Sequence, residues 1–153
     1  MSTSETDSKS PETLLGIAFQ SSILSSRLDG YVLSKHGISS TPWLLMSMIA
    51  EAESKSVRPM VVAKRLGISR QAISQAYKRL GEDGLVEIET AENKNVTLRL
   101  TPEGEQKLAD VTAEMAQYSE EFLEKRGNIN LAWVGGTLRA LQRTIPEEAA
   151  AEA

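Results

Sequence analysis

The chain has 153 residues, is 41% hydrophobic and 25% charged, and carries a net charge of −4, values ordinary for one globular domain with a sizeable core. It has no cysteine and a single histidine, His36, which excludes disulfides, thiolate zinc sites, thiol redox sensing and a His-rich metal site. No apolar run approaches the roughly 18 residues of a membrane span and no signal-peptide pattern opens the chain, so a cytoplasmic protein with no membrane partner and no cofactor is expected.

Residues 1–9 are mostly Ser, Thr and acid with almost nothing to bury, and read as a disordered tail. Ser10-Pro11-Glu12 is a helix start: a cap, a proline at the first helical position and an acid at the positive end of the dipole. The apolar stripe Leu14, Ile17, Ala18, Ser21, Leu24, Leu28 and Val32 predicts one long helix to about His36, stopped by Gly37. Thr41-Pro42 starts a second helix that runs through Trp43, Leu44, Leu45, Met48 and Ile49 to about Ala52. A short polar connection, 53–58, follows.

The segment from Pro59 to Lys78, PMVVAKRLGISRQAISQAYK, reads as a helix-turn-helix. Gly67 supplies the left-handed turn between two short helices, Ala63 permits a close crossing, and Ser69 caps the second helix. Arg58 is a poor cap for the first. At about 100° per residue, Ala72, Ile73, Ala76, Tyr77 and Leu80 share one arc of the second helix. Arg70, Gln71, Ser74, Gln75, Lys78 and Arg79 fill the other. Such donors and forked amides are the groups that read base edges in a major groove.

After Gly84 the period becomes two. Val86 and Ile88 alternate with Glu87 and Glu89, and Val96, Leu98 and Leu100 with Asn95, Thr97 and Arg99. Joined by Thr90–Asn95, they predict a β-hairpin with one buried face. A hairpin directly after a recognition helix is a wing. Thr101-Pro102-Glu103 restarts helix to about Arg126, Gly127 ends it, and Asn130 caps a last helix from Leu131 to about Thr144. Residues 146–153 read as a flexible tail. The fold class expected is mainly α with a small β-hairpin: a winged helix-turn-helix over 41–101, flanked by helices at 10–40 and 102–145. Those flanking helices carry more apolar surface than the winged domain can cover. The economical solution is that they pack together and against the same elements of a second chain, as dimerisation helices.

Charge is unevenly placed. Between Ser54 and Gly81 stand Lys55, Arg58, Lys64, Arg65, Arg70, Lys78 and Arg79 with no acid, which leaves 10 of the 17 basic residues against all 21 acidic ones elsewhere. Screening confines electrostatic attraction to about 8 Å at physiological salt, so this local surplus of seven positive charges, not the net charge, governs attraction to phosphate.

The run Val62-Ala63-Lys64-Arg65-Leu66-Gly67-Ile68-Ser69-Arg70, then Leu80 through Gly84-Leu85-Val86, then Leu98 and Leu100-Thr101-Pro102-Glu103-Gly104, resembles the MarR family of bacterial transcription regulators, the last stretch matching its Leu-Thr-x-x-Gly junction. The likeness covers about residues 12–145. It implies a homodimer with the N- and C-terminal helices interleaved above two winged domains, repression of target genes, and release from DNA by a small, often aromatic, molecule. Tyr31, His36, Trp43 and Met46 fall near where family members place effectors. One departure stands out. The family wing carries an Asp-x-Arg element whose arginine enters the minor groove, whereas the tip here is Ala91-Glu92-Asn93-Lys94-Asn95.

The expected partner is double-stranded DNA with a near-palindromic operator. Arg70 or Lys78 would pair with guanine, and Gln71 or Gln75 with adenine. Ser69, Ser74, Lys64, Arg65 and Arg79 would hold phosphates, with Lys94 at the wing tip beside them. A second reading stays open: an interaction module whose basic face meets an acidic protein. Nothing calls for an enzyme, since the chain lacks a cysteine nucleophile, a Gly-rich phosphate loop and clustered metal ligands.

Overall fold

The computed structural model describes residues 13–127 and 129–145, so the two expected tails and the Ser10-Pro11-Glu12 start lie outside the described residues. The chain divides into two compact units, one ending at Ser40 and the other beginning at Thr41. In the first, α1 (Leu14–Tyr31) is capped by Thr13, whose hydroxyl accepts from the Gly16 N–H at 2.9 Å. The single long helix expected to His36 is broken. Its α-helical bonding ends at Val32, and Leu33–His36 winds as a tighter 3-10 turn closed by Gly37 at φ +67°. Gly30 and the β-branched Val32 make this a weak place for an α-helix. The Ser34 hydroxyl donates to the Gly30 carbonyl at 2.7 Å, occupying one acceptor that the helix end frees.

The second unit follows the predicted order with one addition. Helix α2 (Ser40–Glu51) buries Leu45, Met46 and Ile49 completely or nearly so. The connection 53–58 contains a short strand, β1 (Ser56–Val57). Then come α3 (Pro59–Leu66), α4 (Arg70–Glu82), β2 (Val86–Thr90), β3 (Val96–Leu100), α5 (Pro102–Arg126) and α6 (Leu131–Gln142). The sheet is antiparallel in the order β1-β3-β2, with Val57 opposite Leu98 and Ser56 opposite Arg99. Two residues carry no readable period, which is why β1 escapes the sequence: its partner strand creates it.

The hairpin register pairs Val86 with Leu100, Ile88 with Leu98 and Thr90 with Val96 on one face, and Glu87 with Arg99 and Glu89 with Thr97 on the other. Only the base of the apolar face is fully covered. Val86 and Leu98 are buried, but Ile88 stays 41% exposed. Its side chain leans over Gly81 of α4, so closely that a Cβ there would lie 2.7 Å from Ile88 Cδ1. The core of this unit joins Leu45, Met46, Ile49, Val62, Ile73, Leu80, Leu98 and Val111.

Helix α4 is locked to the start of α5. Gly84, at φ +71°, turns the chain, with the Leu85 N–H donating to the Leu80 carbonyl at 2.8 Å and the Gly84 N–H to the Gly81 carbonyl at 3.1 Å. Gly104 of α5 then abuts the Leu85 carbonyl, where a Cβ would fall 2.0 Å from the oxygen. Helix α6, by contrast, has no buried residue; Leu131, Trp133 and Val134 are all exposed. Because the Leu85 carbonyl is backbone and cannot swing aside, Gly104→Ala should cost about 1–3 kcal/mol of unfolding free energy. A urea midpoint unchanged from the wild type would contradict that close approach.

Candidate nucleic-acid interface

The turn between α3 and α4 is built by backbone chemistry. Gly67 sits at φ +65°, and the Ile68 N–H reaches back to the Ala63 carbonyl at 3.1 Å while the Gly67 N–H reaches Lys64 at 3.2 Å. This pair of bonds is the motif that ends helices on a left-handed residue. Two residues later the Ser69 hydroxyl accepts from the Ala72 N–H at 3.1 Å and starts α4. Arg58 makes no side-chain cap for α3, and Pro59 occupies its first turn, where a missing N–H costs nothing. Val62 and Ala63 of α3, and Ile73, Ala76 and Leu80 of α4, close the crossing as buried residues.

Burying one arc of α4 leaves the opposite one free. At about 100° per residue the outer arc runs Arg70, Ser74, Lys78, Gln71, Gln75, Arg79 around the helix. All are exposed except Ser74, which is half-buried. Lys78 and Gln71 hold the middle of this arc, and Arg70 and Arg79 its edges. Lys64 and Arg65 are exposed on the last turn of α3. Helix α4 extends to Glu82, beyond the acid-free segment, and Arg79 Nε lies 4.0 Å from Asp83 Oδ2. That pair is exposed and one helical turn apart, so it weakly offsets the charge at this edge.

The wing adds little positive charge. Lys94, at φ +62°, forms its tip, where the Ala91 N–H donates to the Asn95 carbonyl at 2.9 Å and the Lys94 N–H to the Ala91 carbonyl at 2.8 Å. Lys94 is exposed, as are Glu87, Glu89 and Glu92. Arg99 on the outward face is engaged by Glu89 at 3.6 Å. Nine of the ten residues expected to meet DNA therefore lie on α3, α4 and the turn between them, and Lys94 stands apart on the hairpin.

A cavity of about 680 Å³ opens between α2, β3 and α5. Its walls are apolar through Ile49, Ala50, Leu100, Leu108, Ala109 and Ala113, and Lys55, Arg99, Glu105 and Thr112 supply polar groups. Lys55, at φ +51°, donates from Nζ to the Ala50 carbonyl at 2.5 Å. The cavity leaves no signature in the sequence, because its lining comes from positions some 50 residues apart that only the fold brings together. The residues expected near an effector have other surroundings. Met46 is fully buried, Lys35 Nζ lies 4.5 Å over the Tyr31 ring, and Trp43 Nε1 is buried without a hydrogen-bond partner.

Comparison with known proteins bears out the resemblance drawn from the sequence. Residues 36–94 match the model of the MarR family. No curated protein matches the chain. Among solved structures, a MarR family transcriptional regulator from Streptomyces coelicolor, in complex with DNA, is similar with a TM-score of 0.68 at 21% identity, over 82% of this chain and 81% of that one. A mutant MarR from E. coli complexed with operator DNA gives 0.66 at 21% identity, over 86% and 92%. NadR in complex with 4-hydroxyphenylacetate also gives 0.66 at 21% identity, over 84% and 91%. These likenesses establish the winged helix-turn-helix fold with its flanking helices.

Proposed function

We propose that the chain is a dimeric, sequence-specific DNA-binding transcription regulator that represses its targets and is released by a small aromatic acid. The observation that carries this reading is the outer arc of α4: six donor-rich residues, five of them exposed, on a helix whose other arc is sealed in the core. A helix about 10–12 Å across fits the major groove. DNA is what two of the similar solved proteins hold. Gln71 and Lys78 hold the middle of the arc and read bases, together with Gln75 and Arg70. Lys64, Arg65, Ser69, Ser74 and Arg79 hold phosphates and set register. Lys94 contacts phosphate, and with no arginine at the wing tip the recognition helix carries most of the sequence discrimination.

Gln71→Ala should lose about 1–3 kcal/mol on the preferred site and little on random DNA, whereas Lys64→Ala should weaken both alike and flatten the salt dependence. Gel-shift competition measures the split; equal losses on both substrates for both variants would reverse the roles. A symmetric footprint on a selected site separates this reading from an acidic-protein binder.

The helices at 10–40 and 102–145 are the dimerisation elements. Supporting this, α1 exposes Leu14, Leu15, Phe19 and Leu24, and α6 exposes Trp133 at 68%. Apolar surface of this extent is what a second copy would cover. Two-fold symmetry then presents two α4 helices to half-sites about 34–36 Å apart. Trp133→Asp should shift the sedimenting species from dimer to monomer and abolish tight operator binding. A variant that still sediments as the wild type would place the interface elsewhere.

The cavity between α2, β3 and α5 is the effector site. Its volume lies inside the range of about 300–1,000 Å³ typical of ligand pockets; Lys55 and Arg99 stand above an apolar wall, and a ligand carboxylate would displace Glu89 from its exposed pairing with Arg99. An aromatic carboxylate is what NadR holds. At a hundred times its dissociation constant such a ligand should stabilise the protein by about 2.7 kcal/mol. A thermal-shift series of aromatic acids should therefore raise the melting temperature and displace DNA, and Arg99→Ala should abolish both effects. A shift that survives in Arg99→Ala would move the site away from this cavity.

A further inference from the structure

In a dimeric reader, two elements set the distance between the reading surfaces: α4, which enters the groove, and α5, which leads from the winged domain towards the second copy. They meet at one joint. The Thr101 hydroxyl donates to the Gly84 carbonyl at 2.7 Å and accepts from the Gly104 N–H at 3.0 Å. The Thr101 N–H donates to the Leu85 carbonyl at 3.1 Å, and the Leu85 N–H is itself bonded to Leu80 in the last turns of α4. Gly104 seats its bare Cα against the same Leu85 carbonyl. Capping α5 requires only the bond from Gly104. The bond to Gly84, 17 residues earlier in the chain, is additional, and it ties the first turn of α5 to the turn that ends α4. Every link in this path is backbone except one short side chain, whose hydroxyl makes both bonds.

We propose that Thr101 is a positioning residue for DNA recognition, fastening α4 to α5 as one body and thereby setting the half-site spacing that the protein accepts. The proposal rests on the dimeric DNA-binding reading above. Its consequence follows from the geometry of the duplex. One added base pair moves a half-site by about 3.4 Å along the axis and turns it by about 34° around it. Helix α5 is 25 residues long, about 37 Å at 1.5 Å per residue. If α4 cannot swivel at its root on so long a helix, it cannot follow that displacement, and the protein must reject altered spacings.

The test is a spacing series. A site selected from random DNA is compared with versions carrying one base pair more or fewer between the half-sites. The wild type should lose at least about ten-fold in affinity on the altered sites, within the roughly 5–150-fold span of coupled binding sites. Thr101→Val, which removes both hydroxyl bonds and keeps the branched shape, should narrow that loss to below about three-fold, the joint no longer coupling the half-sites. Thr101→Ser keeps both bonds and should restore the wild-type ratio. A hydroxyl that serves only as a helix cap would lower the melting temperature of Thr101→Val and leave its spacing ratio unchanged; that result overturns the proposal. Should Thr101→Val fail to fold, native-state hydrogen exchange on the wild type decides. Amides of α4 and of the first turns of α5 should open as one unit, and independent opening overturns the lock. A wild type that selects no nucleotide sequence overturns the DNA-binding reading and the spacing claim with it, while the exchange measurement still reports on the lock.

Discussion

The anchoring of α4 by one arc is the constraint from which the rest of this structure follows. Ile73, Ala76 and Leu80 are buried against a crossing partner whose own contacts, Val62 and Ala63, are equally buried. Ala63 and Ala76 matter for their size as much as their polarity, since small residues let helix backbones approach. With that arc fixed, rotation of α4 about its axis is forbidden. Arg70, Gln71, Gln75, Lys78 and Arg79 then have no choice but to face solvent. The exposed polar arc is in this sense the complement of the core, and a polar set that looks arbitrary in the chain is the set left over after burial.

Electrostatics is organised around the same helix. Seven basic residues and no acid occupy the stretch from Ser54 to Gly81, inside a chain whose net charge is −4. The acid-free zone stops one residue short of the end of α4. Glu82 closes the helix and Asp83 approaches Arg79 at 4.0 Å. The wing continues the acidic character through Glu87, Glu89 and Glu92, and the Glu89 contact draws on Arg99. A basic surface bounded by carboxylates is attractive over a short patch only, because counter-charges within a screening length subtract from its field. Such a boundary favours a docked orientation over general adhesion to polyanions.

The same fold that presents α4 also makes the hollow between α2, β3 and α5. Arg99 belongs to both features. It lies opposite Ser56 and Glu87 in the sheet, lines the cavity and pairs with Glu89. A group bound in the hollow would therefore meet a residue of the wing strand as well as α5. Strand β3 in turn leads directly into Thr101, the residue joining Gly84 to Gly104. Sheet, cavity and joint are thus covalently continuous over a few residues.

Much of this was legible in the chain. The caps at Ser69 and Asn130, the glycines at 37, 67 and 127 and the switch from a period of 3.6 to a period of two each placed an element boundary to within a few residues. These signals are local, since a cap or a left-handed turn needs only its own neighbours. The outer arc of α4 was legible for the same reason, angular position on a helix being a property of spacing alone. Three things were not. One is the break in the first helix, because the apolar stripe does not register where α-helical bonding gives way to a 3-10 turn. Another is strand β1, because a two-residue strand exists only by pairing with β3. The cavity was invisible, because Ala50, Arg99 and Ala109 become neighbours only when α2, the hairpin and α5 pack. The chain by itself determined which elements form and which face of α4 is polar, through short-range hydrogen bonds and periodicity. The tertiary structure alone decided which strand found an edge, where apolar walls left a hollow and how tightly α4 is joined to α5, because each depends on groups far apart in the chain arriving within a few ångströms.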